Sequence, residues 1–108
     1  MKSMSAVFLS FALIGATAGQ VALASEKIAT QAGCATCHAT TKKVLGPSYR
    51  EIAAKYKGKA DAVALLSERI RKGSKGVWGP LPMTPTPPDK LSDADLKTVV
   101  TWVLKTPQ

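Results

Sequence analysis

The chain of 108 residues holds one histidine, His38, and only two cysteines, Cys34 and Cys37. That scarcity narrows the metal chemistry open to it. A closed zinc site wants about four Cys, His or carboxylate ligands, and no second Cys pair is present to complete one. There is no strand-like alternation and no internal repeat, so a thioredoxin-like dithiol, which needs its Cys-x-x-Cys in a strand–helix–strand setting, lacks its scaffold. Acid is scarce too. Seven Asp and Glu face 15 Lys and Arg, a net charge of +8, and none precedes Glu26. A basic surface suits nucleic acid, anionic lipid or an acidic protein partner.

What stands at the amino terminus is Met1, Lys2, the apolar stretch "AVFLSFALIGA" and then "ALA" at Ala22, Leu23 and Ala24. These are the basic start, apolar run and small-residue cleavage site of a secretory signal peptide, so residues 1–24 are expected to be removed and 25–108 to form the mature domain. The apolar run is short for a membrane span, which needs about 20 apolar residues, and no stable membrane insertion is expected after cleavage. Export places the protein in the periplasm and argues against nucleic acid as its partner. A single domain of this size has a marginal core and needs a staple: a disulfide, a metal or a large apolar cofactor.

Apolar positions in the mature part follow helical spacing. A short, weakly patterned segment covers about 26–34. Ser48 and Glu51 form a capping box, and Tyr49, Ile52, Ala53 and Tyr56 share one face, predicting a helix over 48–57 that Gly58 ends. A helix over 61–72 is predicted to bury Val63, Leu66 and Ile70 and to end in Arg71, Lys72 and Gly73. The last helix opens on a Ser92/Asp95 capping box and carries the stripe Leu96, Val99, Val100 and Val103, flanked by Trp102. Between these two lies "GSKGVWGPLPMTPTPPDKL", residues 73–91, which Gly and Pro keep out of regular structure. Loops of this length are functional or disordered. Val77, Trp78, Leu81 and Met83 need something to pack on, and the prolines lower the entropy lost on fixing the loop.

"CATCH", residues 34–38, is open to four readings: zinc, redox dithiol, a local disulfide, or attachment of c-type haem, whose signature is Cys-x-x-Cys-His. A Cys34–Cys37 disulfide would close too small a loop to restrain much of the unfolded chain. The ligand inventory favours haem. His38 is the sole histidine, and once Met1 and Met4 leave with the leader Met83 is the sole methionine. His and Met as axial ligands give a six-coordinate electron-transferring iron of raised potential.

With "GCATCHA", "GPSYREIAAKY", "RIRKGSKGVWGPLPM" and "LKTVVTWVLK" in this order, the chain resembles the short bacterial class I cytochromes c, the c-551/c8 type, over essentially its whole mature length. The resemblance implies an all-α fold of about four short helices wrapped around one covalently bound haem c. It implies thioethers at Cys34 and Cys37 and axial iron ligands at His38 and Met83. It further implies a Pro47 carbonyl that accepts the His38 N–H, and haem-propionate hydrogen bonds from Arg69 and Trp78. Gly33 and Trp102 resemble the close crossing of first and last helices. Two positions depart from the pattern: Ile28 and Ala29 stand where relatives carry an aromatic, and Thr86 stands near an Asn that bonds the methionine sulfur.

The function expected is that of a soluble, monomeric, non-enzymatic carrier of single electrons between respiratory components, such as a membrane cytochrome complex and a nitrite reductase, terminal oxidase or peroxidase. Lys42, Lys43, Lys55, Lys57, Lys59, Lys72 and Lys75 are candidates for a basic ring that meets acidic docking faces on the donor and acceptor. The alternatives are a haem sensor or enzyme with a displaceable Met83, and a fixed relay subunit of a larger complex.

Overall fold

The computed structural model describes Ser10, Ala12, Gly15 and residues 17–108. Most of the signal peptide expected over residues 1–24, including nearly all of its apolar run, lies outside the described residues. Four helices follow one another: α1 (Ala18–Gln31), α2 (Tyr49–Tyr56), α3 (Ala62–Lys72) and α4 (Asp93–Leu104), with a short 3-10 turn at Cys34–Thr36. No strand occurs among the described residues; two isolated bridges, His38 with Lys43 and Ser74 with Met83, are the only β pairings.

Helix α1 starts well before the weakly patterned segment expected at 26–34 and runs unbroken through Ala24. Its alanines favour helix throughout. Contact with the rest of the fold begins one turn later: Val21 and Leu23 are 55% and 68% exposed, whereas Ser25 and Ala29 are buried. α2 forms where its capping box predicts. The Ser48 hydroxyl accepts from the Glu51 amide at 3.1 Å and the Glu51 carboxylate accepts from the Ser48 amide at 2.8 Å. α4 carries only the first half of that motif, the Asp95 amide donating to Ser92 Oγ at 3.2 Å. Asp is one methylene shorter than Glu and reaches back less far.

The core is a cluster of Ala29, Tyr49, Leu91, Leu96, Val99, Val100 and Val103. The whole predicted stripe of α4 is in it, each side chain contributing about 1.5–3 kcal/mol by leaving water. α4 is the central element and packs against α1, α2 and α3. Its other partners require two corrections to the sequence reading. Val63, Leu66 and Ile70 of α3 are half-buried, not buried: they pack against the core cluster, and Leu66 and Ile70 also border a cavity. Gly33 is not a close-approach glycine: a Cβ there would meet no atom within 4 Å. Its φ of +90° starts the 3-10 turn, and that left-handed backbone is what demands glycine. The small buried side chains on α1 are instead Ser25 and Ala29, each 1% exposed.

Candidate functional site

Helices α2, α3 and α4 and the two loops around them enclose a cavity of about 610 Å³. That lies inside the roughly 300–1,000 Å³ range of cofactor and small-molecule sites. Cys34, Cys37, His38, Pro47, Arg69, Trp78 and Met83 all line it. Residues separated by up to 49 positions in sequence are thereby gathered on one lining.

Each side chain is positioned by local backbone chemistry. After α1, the turn at Cys34–Thr36 hydrogen-bonds the Cys37 and His38 amides to the Cys34 carbonyl at 3.1 and 3.0 Å, which stacks "CATCH" into one compact helical turn. Both cysteines are free and half-buried. Burial pushes the Cys34 thiol above its ordinary pKa, opposed by a backbone hydrogen bond and reinforced by neighbouring Cys37. At neutral pH it therefore keeps its proton.

The chain from His38 to Tyr49 then folds back on the imidazole. The Gly46 amide donates to the Cys37 carbonyl at 2.8 Å, and the Tyr49 amide to the Ala39 carbonyl at 3.0 Å. This return places the Pro47 carbonyl 2.6 Å from His38 Nδ1. A carbonyl only accepts, so Nδ1 carries the proton and Nε2 keeps its lone pair as a donor to a metal. Gly46 lies directly against the ring: a Cβ there would be 2.7 Å from His38 Cε1. On another side Tyr49 stacks on His38 with centroids 5.7 Å apart, and Trp102 meets the Tyr49 ring edge-on at 5.1 Å. The Tyr49 hydroxyl is pushed up to about 12, first by burial and then by the fields of Cys34 and Glu26.

Met83 reaches the cavity from the long loop. Its amide donates to the Ser74 carbonyl at 2.8 Å and its carbonyl accepts from the Ser74 amide at 3.1 Å. Gly73, which ends α3, makes that pairing possible: φ is +79°, and a Cβ would stand 2.6 Å from the Met83 carbonyl oxygen. The Thr86 amide donates to the Ile70 carbonyl at 2.8 Å. The loop is thus irregular yet tied to the end of α3 at Met83 itself and three residues beyond it.

Arg69 and Trp78 reach the cavity with partners of their own. Arg69 donates to the Tyr56 hydroxyl and lies over the Tyr56 ring, 5.7 Å from its centroid. The Lys55 ammonium sits 5.1 Å above the Trp78 ring, joining α2 to the loop. The lysine ring is only partly as expected. Lys43 and Lys75 line the cavity, together with Lys90, which sequence reasoning missed. Lys72 is paired with Glu68 at 3.0 Å and Lys59 covers Tyr56.

The donor set and the lining fit a haem c. Two thiols, one imidazole nitrogen and one thioether share a mostly apolar lining that contains no Asp or Glu and carries four cations, Lys43, Arg69, Lys75 and Lys90. That is the composition wanted by a flat apolar group with an anionic edge. No group of three or more His, Cys, Asp or Glu able to hold a metal ion occurs among the described residues. No helix among them is long and apolar enough to cross a membrane.

Comparison with known proteins agrees. The cytochrome c family profile matches residues 22–107. Cytochrome c2 of Rubrivivax gelatinosus is 67% identical over 81 residues, spanning 75% of this chain and 95% of that protein. Cytochrome c-552 of Hydrogenobacter thermophilus is 43% identical over 97 residues, spanning 90% and 94% respectively. The crystal structure of Nitrosomonas europaea cytochrome c552 superimposes with a TM-score of 0.71 at 41% identity, covering 76% of this chain and 99% of that one. Cytochromes c are electron carriers. The chain belongs to the cytochrome c family, as a small all-α class I member whose cofactor is a single covalently bound haem c.

Proposed function

We propose that the protein is a periplasmic carrier of single electrons, exported by a signal peptide over residues 1–24 and working as a monomer of residues 25–108. In this reading Cys34 and Cys37 would hold the haem by two thioethers. His38 and Met83 would bind its iron, and Arg69 and Trp78 would hydrogen-bond a propionate. The bound group supplies an iron that alternates between Fe(III) and Fe(II). One observation carries the reading: a single cavity collects both thiols, the His38 ring with its Nε2 lone pair free, and Met83.

The residues divide the work. Pro47 holds the imidazole in one tautomer and orientation, and a hydrogen bond at Nδ1 makes Nε2 a stronger donor. A Met83 thioether on the iron would raise its potential. With His38 and Met83 both on the iron, no position would be left there for a substrate, in keeping with an electron carrier. Around the cavity mouth Val44, Leu45 and Leu81 are 52%, 56% and 65% exposed. With Lys43 and Lys75 beside them they make an apolar collar with a cationic rim, suited to acid-faced donors and acceptors. A membrane cytochrome complex on one side and a nitrite reductase, terminal oxidase or peroxidase on the other fit that description.

The test is the mass of the exported protein under denaturing conditions. A mass of residues 25–108 plus one haem is expected; a bare chain overturns the reading.

A further inference from the structure

Arg71, the penultimate residue of α3, does not line the cavity, yet it grips the loop that carries Met83. Its side chain is 18% exposed. One arm, Nη1, donates to the Thr86 carbonyl at 3.1 Å; the other, Nη2, lies 2.8 Å from Asp93 Oδ1 at the start of α4. The Thr86 amide is meanwhile bonded to the Ile70 carbonyl. Both main-chain groups of Thr86 are therefore held by consecutive residues of α3. Pro85, Pro87 and Pro88 have no N–H to offer, so Thr86 is the residue through which the Pro-rich return bonds to α3.

The two arms are not equivalent. Asp93 is 92% exposed, and an ion pair to so solvated a carboxylate contributes little. The bond to Thr86 is charge-assisted and comes from a largely buried guanidinium, which makes it the stronger hold. We infer that Arg71 is a positioning residue for the Met83 side of the site: through the Thr86 carbonyl it keeps the loop closed and so limits how often Met83 leaves the cavity. This rests on the reading of Met83 as the distal ligand.

Imidazole is the probe. Added to the haem-loaded ferric protein, it takes the sixth position only when Met83 has left, so its apparent affinity scales with the open fraction. R71M keeps an apolar stem and removes both arms. It is expected to raise the apparent imidazole affinity about tenfold, the effect of losing one charge-assisted hydrogen bond, and to speed exchange of the Thr86 amide by a similar factor. D93N is expected to change either by less than twofold. R71K, whose ammonium lacks the two-armed fork, falls between wild type and R71M.

Wild-type affinity and exchange in R71M overturn the inference, as does a D93N effect equal to that of R71M, which would assign the hold to the ion pair. Should R71M not accumulate, R71K decides on the same measurements, and a Thr86 exchange rate equal to wild type overturns the role. A failure of the distal-ligand reading looks different: the wild-type protein then lacks the band at the red edge of the spectrum that marks Met ligation of ferric haem.

Discussion

Adding one methyl group at Gly46 tests how the His38 ring is held. A Cβ built there stands 2.7 Å from His38 Cε1 and 3.1 Å from Nδ1. Carbon atoms pack at about 3.5 Å or more, so the ring must yield by about 0.8 Å. Its freedom is small, because Tyr49 stacks on it and the bond to Pro47 measures 2.6 Å. If the ring takes the whole displacement along that bond, Nδ1 and the carbonyl end about 3.4 Å apart, beyond hydrogen-bond range. Overpacking costs about 1–3 kcal/mol and the lost bond about 1 kcal/mol more. For a domain of this size each kcal/mol lowers the midpoint of thermal unfolding by about 4–8 °C. Gly46 is not among the positive-φ glycines, so backbone strain does not confuse the result. The assay is thermal unfolding of haem-loaded Gly46→Ala followed by circular dichroism, with the Nδ1 proton followed by NMR. A fall of at least about 8 °C with weakening of that proton's hydrogen bond is expected. A midpoint within 2 °C of wild type, with the bond intact, would refute the reasoning.

The remaining predictions use other parts of the site. Gly73→Ala combines a φ of +79° with a Cβ 2.6 Å from the Met83 carbonyl, so the red-edge band should weaken along with stability. Gly58→Ala, where φ is +76° but nothing lies within 4 Å, should cost only the left-handed strain of about 1–2 kcal/mol and leave the spectrum unchanged; an equal spectral change in both variants would refute the close-approach argument. Tyr56→Phe removes the hydroxyl that Arg69 donates to and should lower stability by about 1 kcal/mol in denaturant titration with haem content unchanged. The rate of electron transfer to an acid-faced partner should fall as ionic strength rises, by about 10- to 1,000-fold at most; stopped-flow rates indifferent to salt would remove electrostatic steering.

Much of this arrangement is local and so could be read directly. A Ser48/Glu51 box and a stripe at 96, 99, 100 and 103 are decided within one or two helical turns, and the structure has both. "CATCH" and Met83 were legible as chemistry because the chain offers so few alternatives to them. What escaped is whatever depends on elements meeting in space. Gly46 has nothing in its sequence context to mark it, and gains a task only when the chain folds back and brings His38 against it. Gly33 reads as a packing glycine, whereas its role is a left-handed turn. Lys90 joins the lining through the turn after Pro87, where the Lys90 and Leu91 amides both bond to the Pro87 carbonyl. Arg71 looks like any basic residue closing a helix, and only the position of Thr86 gives it a task.

The pairing of Ser74 with Met83 has a consequence for how this protein can change over evolutionary time. Both bonds are made by main-chain atoms, so no side-chain substitution between them removes either. Of the eight residues enclosed, 75–82, all but Gly79 line the cavity, so their side chains can change only as far as that lining tolerates, while the anchoring of Met83 does not depend on them. The loop in this sense separates two tasks, attachment in its backbone and shaping of the cavity in its side chains.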